Sequence, residues 1–209
     1  MARTRSENYD DIQRGILNAA CALFARQGYM RASIADLADA CHISRGALYH
    51  YFDSKEAILF AIVDAHVRRM IADVEAAMAS QSAMLDRFRA AIRAIVELNA
   101  RSTNEQRVIL NELSFLSEAE QAAIKALERQ IVDTISGLLI RLDTEGKIVK
   151  RSKRVYTMML LGMLNFSHTW YDPRGDIAPQ EFADMVVDLF LYGFAAPVEK
   201  GTAARKQRA

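Results

Sequence analysis

Apolar residues recur every three or four positions along almost the whole of this 209-residue chain, and no segment shows the period of two that a half-buried strand requires. Only three prolines interrupt the pattern. An all-α fold follows, and its cap and turn residues predict nine helices. The first is expected from about Tyr9 to Gln27, with Ile12, Ile16, Leu17, Ala20 and Phe24 on its buried face and Gly28 to end it. Ser33 caps a short second helix, and Ser44 caps a third that reaches about Tyr51. In DSKE, at 53–56, Asp53 takes the N-cap and Glu56 the N3 position of a capping box. That box opens a long fourth helix with Leu59, Ile62, Val63, Val67, Met70 and Val74 inward. The fifth starts near Ser82 and uses Leu85, Phe88, Ile92, Ile95 and Val96, and the sixth covers roughly 104–115. SEAE, at 117–120, is a second capping box and starts a seventh helix running to Gly146. The eighth runs from near Ser152 to Tyr171; after the loop DPRGDIAP, the ninth runs from Pro179 to near Phe194. A seam falls near residue 53. The chain is therefore expected to form a head over 1–53, a body over 54–195 and a basic, disordered tail over 196–209.

With 51% hydrophobic and 25% charged residues, the composition is that of an ordinary globular protein. A net charge of +1 gives no global basic footprint, but phosphate contact depends on local charge on one face. The opening MARTRSENYDD lacks the apolar region of a secretory signal. The longest near-apolar run, around MMLLGMLNF, is about twelve residues and too short to span a bilayer. Cys21 and Cys41 make neither a disulfide framework nor a metal site. A reduced, cytoplasmic protein off the membrane is the expectation. No G-x-S-x-G, H-E-x-x-H, P-loop or dinucleotide fingerprint occurs. Glu112, Glu118 and Glu120 are explained as caps and a solvated face, so an enzyme is not expected.

The densest chemistry lies in ISRGALYHYFDSK, residues 43–55. The turn ACHIS joins two short amphipathic helices, which is helix-turn-helix grammar. Leu48 and Phe52 pack back on the bundle and Ile43 anchors the turn, while Arg45, Tyr49 and His50 face solvent. Arginine reads guanine O6 and N7 as a bidentate donor, and tyrosine and histidine donate to phosphates. A glycine inside a helix costs about 1 kcal/mol relative to alanine. Gly46 is explained if the backbone must come close to the crossing helix or to a phosphate. Lys55 with the start of the fourth helix suits an anion, as does Ser33 at the start of the second. Arg3 and Arg5 would form an arm into the minor groove.

The segment ILNAACALFARQGYMRASIADLADACHISRGALYHYFDSKEAIL resembles the N-terminal domain of TetR-family transcriptional regulators. Phe24, Gly28, Tyr29, Ser33, Leu37, Ala38, Ser44, Gly46, Leu48, Tyr49, Tyr51, Phe52 and Lys55 carry the likeness. It implies an all-α homodimer with three DNA-binding helices and six regulatory ones per chain. It also implies base contacts by Arg45 and Ala47 and phosphate contacts by Ser33, Ser44, Tyr49, Tyr51 and Lys55, with His50 serving either. The family usually has glycine where His42 stands. A left-handed backbone is expected there, which histidine tolerates better than most residues.

The ninth helix is apolar on two sides, with Phe182, Met185, Val186 and Leu189 on one stripe and Val187, Phe190, Leu191 and Phe194 on another. A second stripe packs most simply on a copy of itself. Phe182, Met185, Val186, Leu189 and Phe190 are therefore expected at a homodimer interface, where the eighth and ninth helices of two chains meet. Two-fold symmetry would set the recognition helices about one DNA turn apart, roughly 34–36 Å, on a pseudo-palindromic operator. A small-molecule pocket is expected among the fourth to eighth helices, lined by Met158, Met159, Met163 and Phe166, with Asn165, His168 and Trp170 as polar handles. The same residues would otherwise be plain core. His66 reads as a packed histidine at the seam, in a place that also suits a ligand-sensing hinge.

LNFSHTWYDPRGDIAPQEFADMVVDLFLYG is similar to the end of TetR-family repressors that answer to acyl-CoA thioesters. That similarity implies a long apolar tunnel for the acyl chain, with arginines such as Arg107 or Arg141 on the CoA phosphates. A drug-like or other hydrophobic effector is the alternative. The expected function is a DNA-binding repressor released by a small hydrophobic effector, without catalytic residues, metal or cofactor. A helical carrier for hydrophobic ligands and an activator of the same fold are the competing readings.

Overall fold

The structure, a computed structural model, describes residues 3–144, 146 and 152–193, with side chains from Tyr9 onward. Phe194 and the expected tail at 196–209 lie outside the described residues, as do the side chains of Arg3 and Arg5. Among the described residues there are nine α-helices and no strand. They are α1 (Arg3–Gln27), α2 (Ile34–Ala40), α3 (Arg45–Tyr51), α4 (Lys55–Ala79), α5 (Met84–Arg101), α6 (Thr103–Asn111), α7 (Glu118–Leu142), α8 (Lys153–Phe166) and α9 (Pro179–Tyr192). Short 3-10 turns follow α6 at Leu113–Phe115 and α8 at Ser167–Thr169.

The caps explain most of the boundaries. Ser33 Oγ accepts the Asp36 N–H at 3.1 Å while the Asp36 carboxylate accepts the Ser33 N–H at 2.9 Å, a reciprocal box that starts α2. Ser117 and Glu120 repeat the arrangement at α7. Ser44 Oγ accepts the Ala47 N–H at 3.1 Å and starts α3. At α4 the cap falls one residue later than expected. Ser54, not Asp53, accepts the Ala57 N–H at 3.0 Å, and Glu56 accepts the Tyr29 hydroxyl at 2.6 Å instead of closing a box.

Other ends also move. α1 begins at Arg3, so the stretch expected to be an arm has helical backbone. The sixth and eighth helices stop early and tighten into 3-10 turns; in the second, the Trp170 and Tyr171 N–H groups both donate to the Ser167 carbonyl. α7 ends at Leu142, short of Gly146, and α9 ends at Tyr192, where Gly193 takes φ +77°.

α4 packs on α1, α5, α6 and α7. Phe24, Leu37 and Leu48 are fully buried among α1–α3, and Phe88, Ile92, Ile95, Ile124 and Ile135 on α5 and α7, all in one core. α9 lies along α5, and polar pairs set the register. Arg93 donates to both Asp184 oxygens at 2.9 and 2.6 Å, Arg89 reaches Asp188 at 2.5 Å, and Gln180 donates to Glu97 at 2.7 Å. Such exposed pairs contribute about 0.2–1 kcal/mol each, so they align α9 more than they hold it. Burial pushes the buried Cys21 thiol up to about 12, with Glu105 adding to the shift, and raises the half-buried Cys41 thiol as well.

His42 has φ +54°, the left-handed backbone expected between α2 and α3. That conformation costs an ordinary L-residue about 1–2 kcal/mol, less for histidine or asparagine. In urea titrations, His42→Gly is expected to leave stability unchanged or raise it by up to about 1 kcal/mol. His42→Val should lower it by about 1–2 kcal/mol, and a valine variant as stable as the parent would refute the left-handed turn.

Candidate nucleic-acid interface and ligand cavity

α3 is held from one side only. Leu48 is buried and Phe52, just past its end, is nearly so, which leaves Arg45, Gly46, Tyr49 and His50 exposed. Ser33 and Ser44 are exposed at the two helix starts, with their hydroxyls in the caps; Ala47 is half-buried. A Cβ added at Gly46 would meet only Ser44 Oγ, at an ordinary 3.9 Å. No crossing helix therefore demands that glycine. Tyr51 is half-buried, its ring 4.6 Å from that of Tyr9, and His50 meets both rings edge-on. α1 thus orders this side of the exposed face.

Lys55 is more tightly engaged than expected of a residue offered to phosphate. Its Nζ donates to the Tyr29 carbonyl at 3.1 Å and the Ala32 carbonyl at 3.0 Å, and it sits 4.1 Å from the centre of the Tyr29 ring. The Tyr29 hydroxyl, donating to Glu56, has its own proton held well above the ordinary range, first by burial and then by that carboxylate. The same bond holds the Glu56 carboxyl below the usual range. Phe115, in the turn after α6, stacks on Tyr29 with ring centres 5.2 Å apart.

A cavity of about 390 Å³ lies between α4, α5, α6, α7 and α8, within the size range of small-ligand sites (roughly 300–1,000 Å³). Its apolar wall includes Val67, Met70, Ile95, Leu110, Leu113 and Leu161, and its polar residues are His66, Asn99, Gln106, Glu128 and Asn165. Of the expected lining, Met158 and Asn165 are present. Met159 and Phe166 are 60% and 65% exposed because they sit on the outer side of α8, and Met163 packs into the core. His168 lines a separate void of about 40 Å³, and Trp170, 64% exposed, leans edge-on against Phe182. Arg107 donates to the Ala25 carbonyl, and Arg141 lines a different cleft near Arg87, so neither borders this cavity.

Asn99 and Gln106 escaped the sequence reading although a signal existed. Asn99 continues the α5 stripe Phe88, Ile92, Ile95, Val96 at helical spacing, so a polar side chain was entering the core. Both are more than nine-tenths buried, and Asn99 Nδ2, Asn99 Oδ1 and Gln106 Nε2 have no partner among the described residues. Burial raises the Glu128 carboxyl, with Lys125 opposing. His66 is also a wall of a second cleft of about 330 Å³ at the head–body seam, which includes Arg14, Arg69 and Glu105. Burial, then Arg69, lowers its imidazole to about 4, so it is neutral at pH 7.

On α8 and α9 the apolar surface divides. Phe182 and Val186 are buried within the chain and Phe190 is packed against its core, so those three of the expected interface residues are spent internally. Met185, Leu189 and Tyr192 on α9 remain exposed, beside Val155, Met159 and Phe166 on α8. The two rows follow spacings of three, four or seven residues, one continuous stripe on each helix. Among the described residues no helix is long and apolar enough to cross a membrane, and no group of three or more His, Cys, Asp or Glu could hold a metal.

Comparison with known proteins matches residues 16–62 to bacterial regulatory proteins of the tetR family and residues 81–194 to the tetracyclin repressor-like C-terminal domain. A solved TetR-family transcriptional regulator from Bordetella parapertussis is 34% identical, with 88% of this chain and 95% of that one covered at a TM-score of 0.83. AibR, solved in complex with isovaleryl coenzyme A and operator DNA, is 27% identical over 85% of this chain and 97% of its own, with a TM-score of 0.75. The transcriptional repressor KstR2 of Rhodococcus jostii is 25% identical over 87% of this chain and 90% of its own. The transcriptional activator FasR of Mycolicibacterium smegmatis is 29% identical, but the match spans only 63% of this chain and 60% of FasR.

The depressed His66 value has a measurable consequence. Its unfolded-state value is near 6.5, so the folded protein binds fewer protons between that pH and about 4. Stability is fully present above pH 6.5 and falls on acidification through this window, by up to about 3 kcal/mol. Subtracting the stability–pH curve of His66→Gln from that of the parent isolates the contribution. A flat difference between pH 6.5 and 4 would show that the imidazole is not held neutral.

Proposed function

The chain belongs to the TetR family of DNA-binding transcriptional regulators, and from that premise we propose that it is a homodimeric repressor released from a pseudo-palindromic operator by a small hydrophobic effector. The observation that carries this reading is α3 itself: one side is consumed by Leu48 in packing, while Arg45, Gly46, Tyr49 and His50 are left bare. Arg45 and Ala47 meet base edges, Ser33, Ser44, Tyr49 and Tyr51 meet phosphates, and His50 serves either. Lys55, with two of its donors used internally, lends its charge to the phosphate strand and its bonds to the fold. The head ends near residue 53 and the body begins with α4.

The bare stripes on α8 and α9, with Met185, Leu189, Met159 and Phe166 at their centre, are covered by the same stripes of a second chain. The effector occupies the cavity between α4 and α8. The likeness to AibR, which binds isovaleryl coenzyme A, supports an acyl-CoA thioester as its class. Effector binding acts through the difference in its affinity for the two head spacings. Leu110 and Leu113 form part of the cavity wall, Phe115 follows two residues later against Tyr29, and Tyr29 holds Lys55 at the start of α4. A shift in the wall is thereby delivered to the residues directly after α3. The similarity to FasR, named an activator, favours one second reading, in which the same head recruits transcription rather than blocking it.

Fluorescence anisotropy with the intergenic DNA beside the gene tests the proposal. Binding should weaken as salt rises, and Arg45→Ala should cost about 1–3 kcal/mol on the specific site with the helical signal intact. No binding to any neighbouring intergenic region at moderate salt would sink it. Phe115→Ala is expected to keep ligand and operator affinity but to blunt ligand-induced release by about ten-fold, within the ordinary range of coupling energies. Release at parental ligand concentrations would remove Phe115 from the route.

A further inference from the structure

We propose that Tyr9, on α1, is a positioning residue for operator recognition: its ring holds His50 and Tyr51, at the end of α3, in place before DNA arrives. This rests on the regulator reading above and adds to it a residue that acts on DNA through its neighbours.

The three rings form a closed cluster. Tyr9 lies 4.6 Å from Tyr51 at an interplanar angle of 32°, and 6.2 Å from His50 at 82°. His50 and Tyr51 meet at 5.5 Å and 82°. Each separation falls within the roughly 4.5–7 Å over which aromatic rings attract, and two of the three contacts have the favoured edge-on arrangement. Tyr9 comes from the second turn of α1, so the cluster is a tertiary contact and not a property of α3 alone. α3 needs such support at this end. It has seven residues, too few for a helix to be stable in isolation, and Tyr51 is its last. Phe52, its C-cap, already has extended backbone at φ −142° and ψ 127°. Tyr51 rests partly on the core. His50 is exposed, and its imidazole makes no hydrogen bond among the described residues, so the two tyrosine rings are what restrain it.

A side chain fixed in advance costs less to order when DNA binds. Immobilising one mobile side chain at an interface weakens binding by about two- to ten-fold, so freeing His50 and Tyr51 together should weaken it by about ten-fold. Tyr49 supplies the contrast on the same helix. It is 50% exposed and meets no other ring among the described residues, so its placement does not depend on Tyr9. The Tyr9 hydroxyl makes no hydrogen bond among the described residues either, which leaves the ring as the part that carries the contact.

The test uses the full chain and the neighbouring intergenic fragments, read by fluorescence anisotropy. Tyr9→Ala should bind the parent's fragment about ten-fold more weakly, and Tyr9→Phe within about two-fold of the parent. Tyr9→Leu, which keeps bulk without the ring, takes the place of the alanine variant if that one loses its helical signal. In double-mutant cycles the Tyr9 effect should largely vanish on a His50→Ala background and persist on a Tyr49→Ala background, a difference that a general loss of stability would not produce. Proton NMR of the free protein reads the cluster without DNA. The His50 ring protons, assigned from His50→Gln, should shift when Tyr9 is replaced by alanine or leucine and stay near the parental position with phenylalanine. Unchanged affinity without the Tyr9 ring, an equal loss in Tyr9→Phe, additivity with His50→Ala, or His50 signals indifferent to Tyr9 would overturn the proposal. A parent that binds no fragment would remove the regulator reading and this proposal together, whereas parental binding untouched by the Tyr9 variants removes this proposal alone.

Discussion

The ammonium group of Lys55 fixes the geometry on which the rest depends. It ties the carbonyls of Tyr29 and Ala32, in the turn after α1, to the first residue of α4. Charged hydrogen bonds of this kind contribute about 1.5–3 kcal/mol each when they are not fully solvated. The adjacent Tyr29–Glu56 bond adds a second tie between the same segments, and the Tyr29 ring rests on Phe24 and Phe115. One small cluster thus joins the helix that braces α3, the helix that leaves it, and the turn that ends the cavity wall. The position of the bare face of α3 relative to the body is set there rather than by the long helices alone.

That cluster was only half legible in the sequence. Phe24, Tyr29 and Lys55 stood among the residues that carry the family likeness, which implied a phosphate contact for Lys55, while the spacing of DSKE gave Glu56 to a capping box and Phe115 had no assigned role. Ser54 displaced Asp53 as the cap, and Glu56 turned to Tyr29, because a tyrosine hydroxyl far away in sequence outcompeted the local backbone. Local rules cannot see such a partner. The left-handed His42 followed from the glycine that the resembling family usually has at that turn. The helices and most caps were readable because periodicity and capping are local.

The cavity failed differently. Methionines and aromatics near the end of α8 were a reasonable lining by composition, yet which side of a doubly apolar helix faces inward is decided by its neighbours. α8 turns Met159 and Phe166 out, buries Leu161 and leaves Met158 and Asn165 exposed at the edge of the cavity, while α9 buries Phe182 and Val186 and leaves Met185 and Leu189 bare. The better clue was the opposite of greasiness. Asn99 interrupts an otherwise apolar stripe on α5 and lies, more than nine-tenths buried, in the cavity wall. The two surfaces of the body differ in the same way, since the cavity wall includes polar residues and the outer one carries exposed apolar side chains on α8 and α9.

The two thiols have a practical consequence. Cys21 is closed off with its proton held near 12, and Cys41 is half-covered and also raised, so little thiolate exists on either at neutral pH. The protein therefore supplies a chemically quiet background for labelling. A cysteine introduced on the exposed side of α3, outside the contact residues, would take a spin label or fluorophore ahead of both. The separation of two such labels in a dimer would then report directly on how far apart the heads stand, with and without an effector.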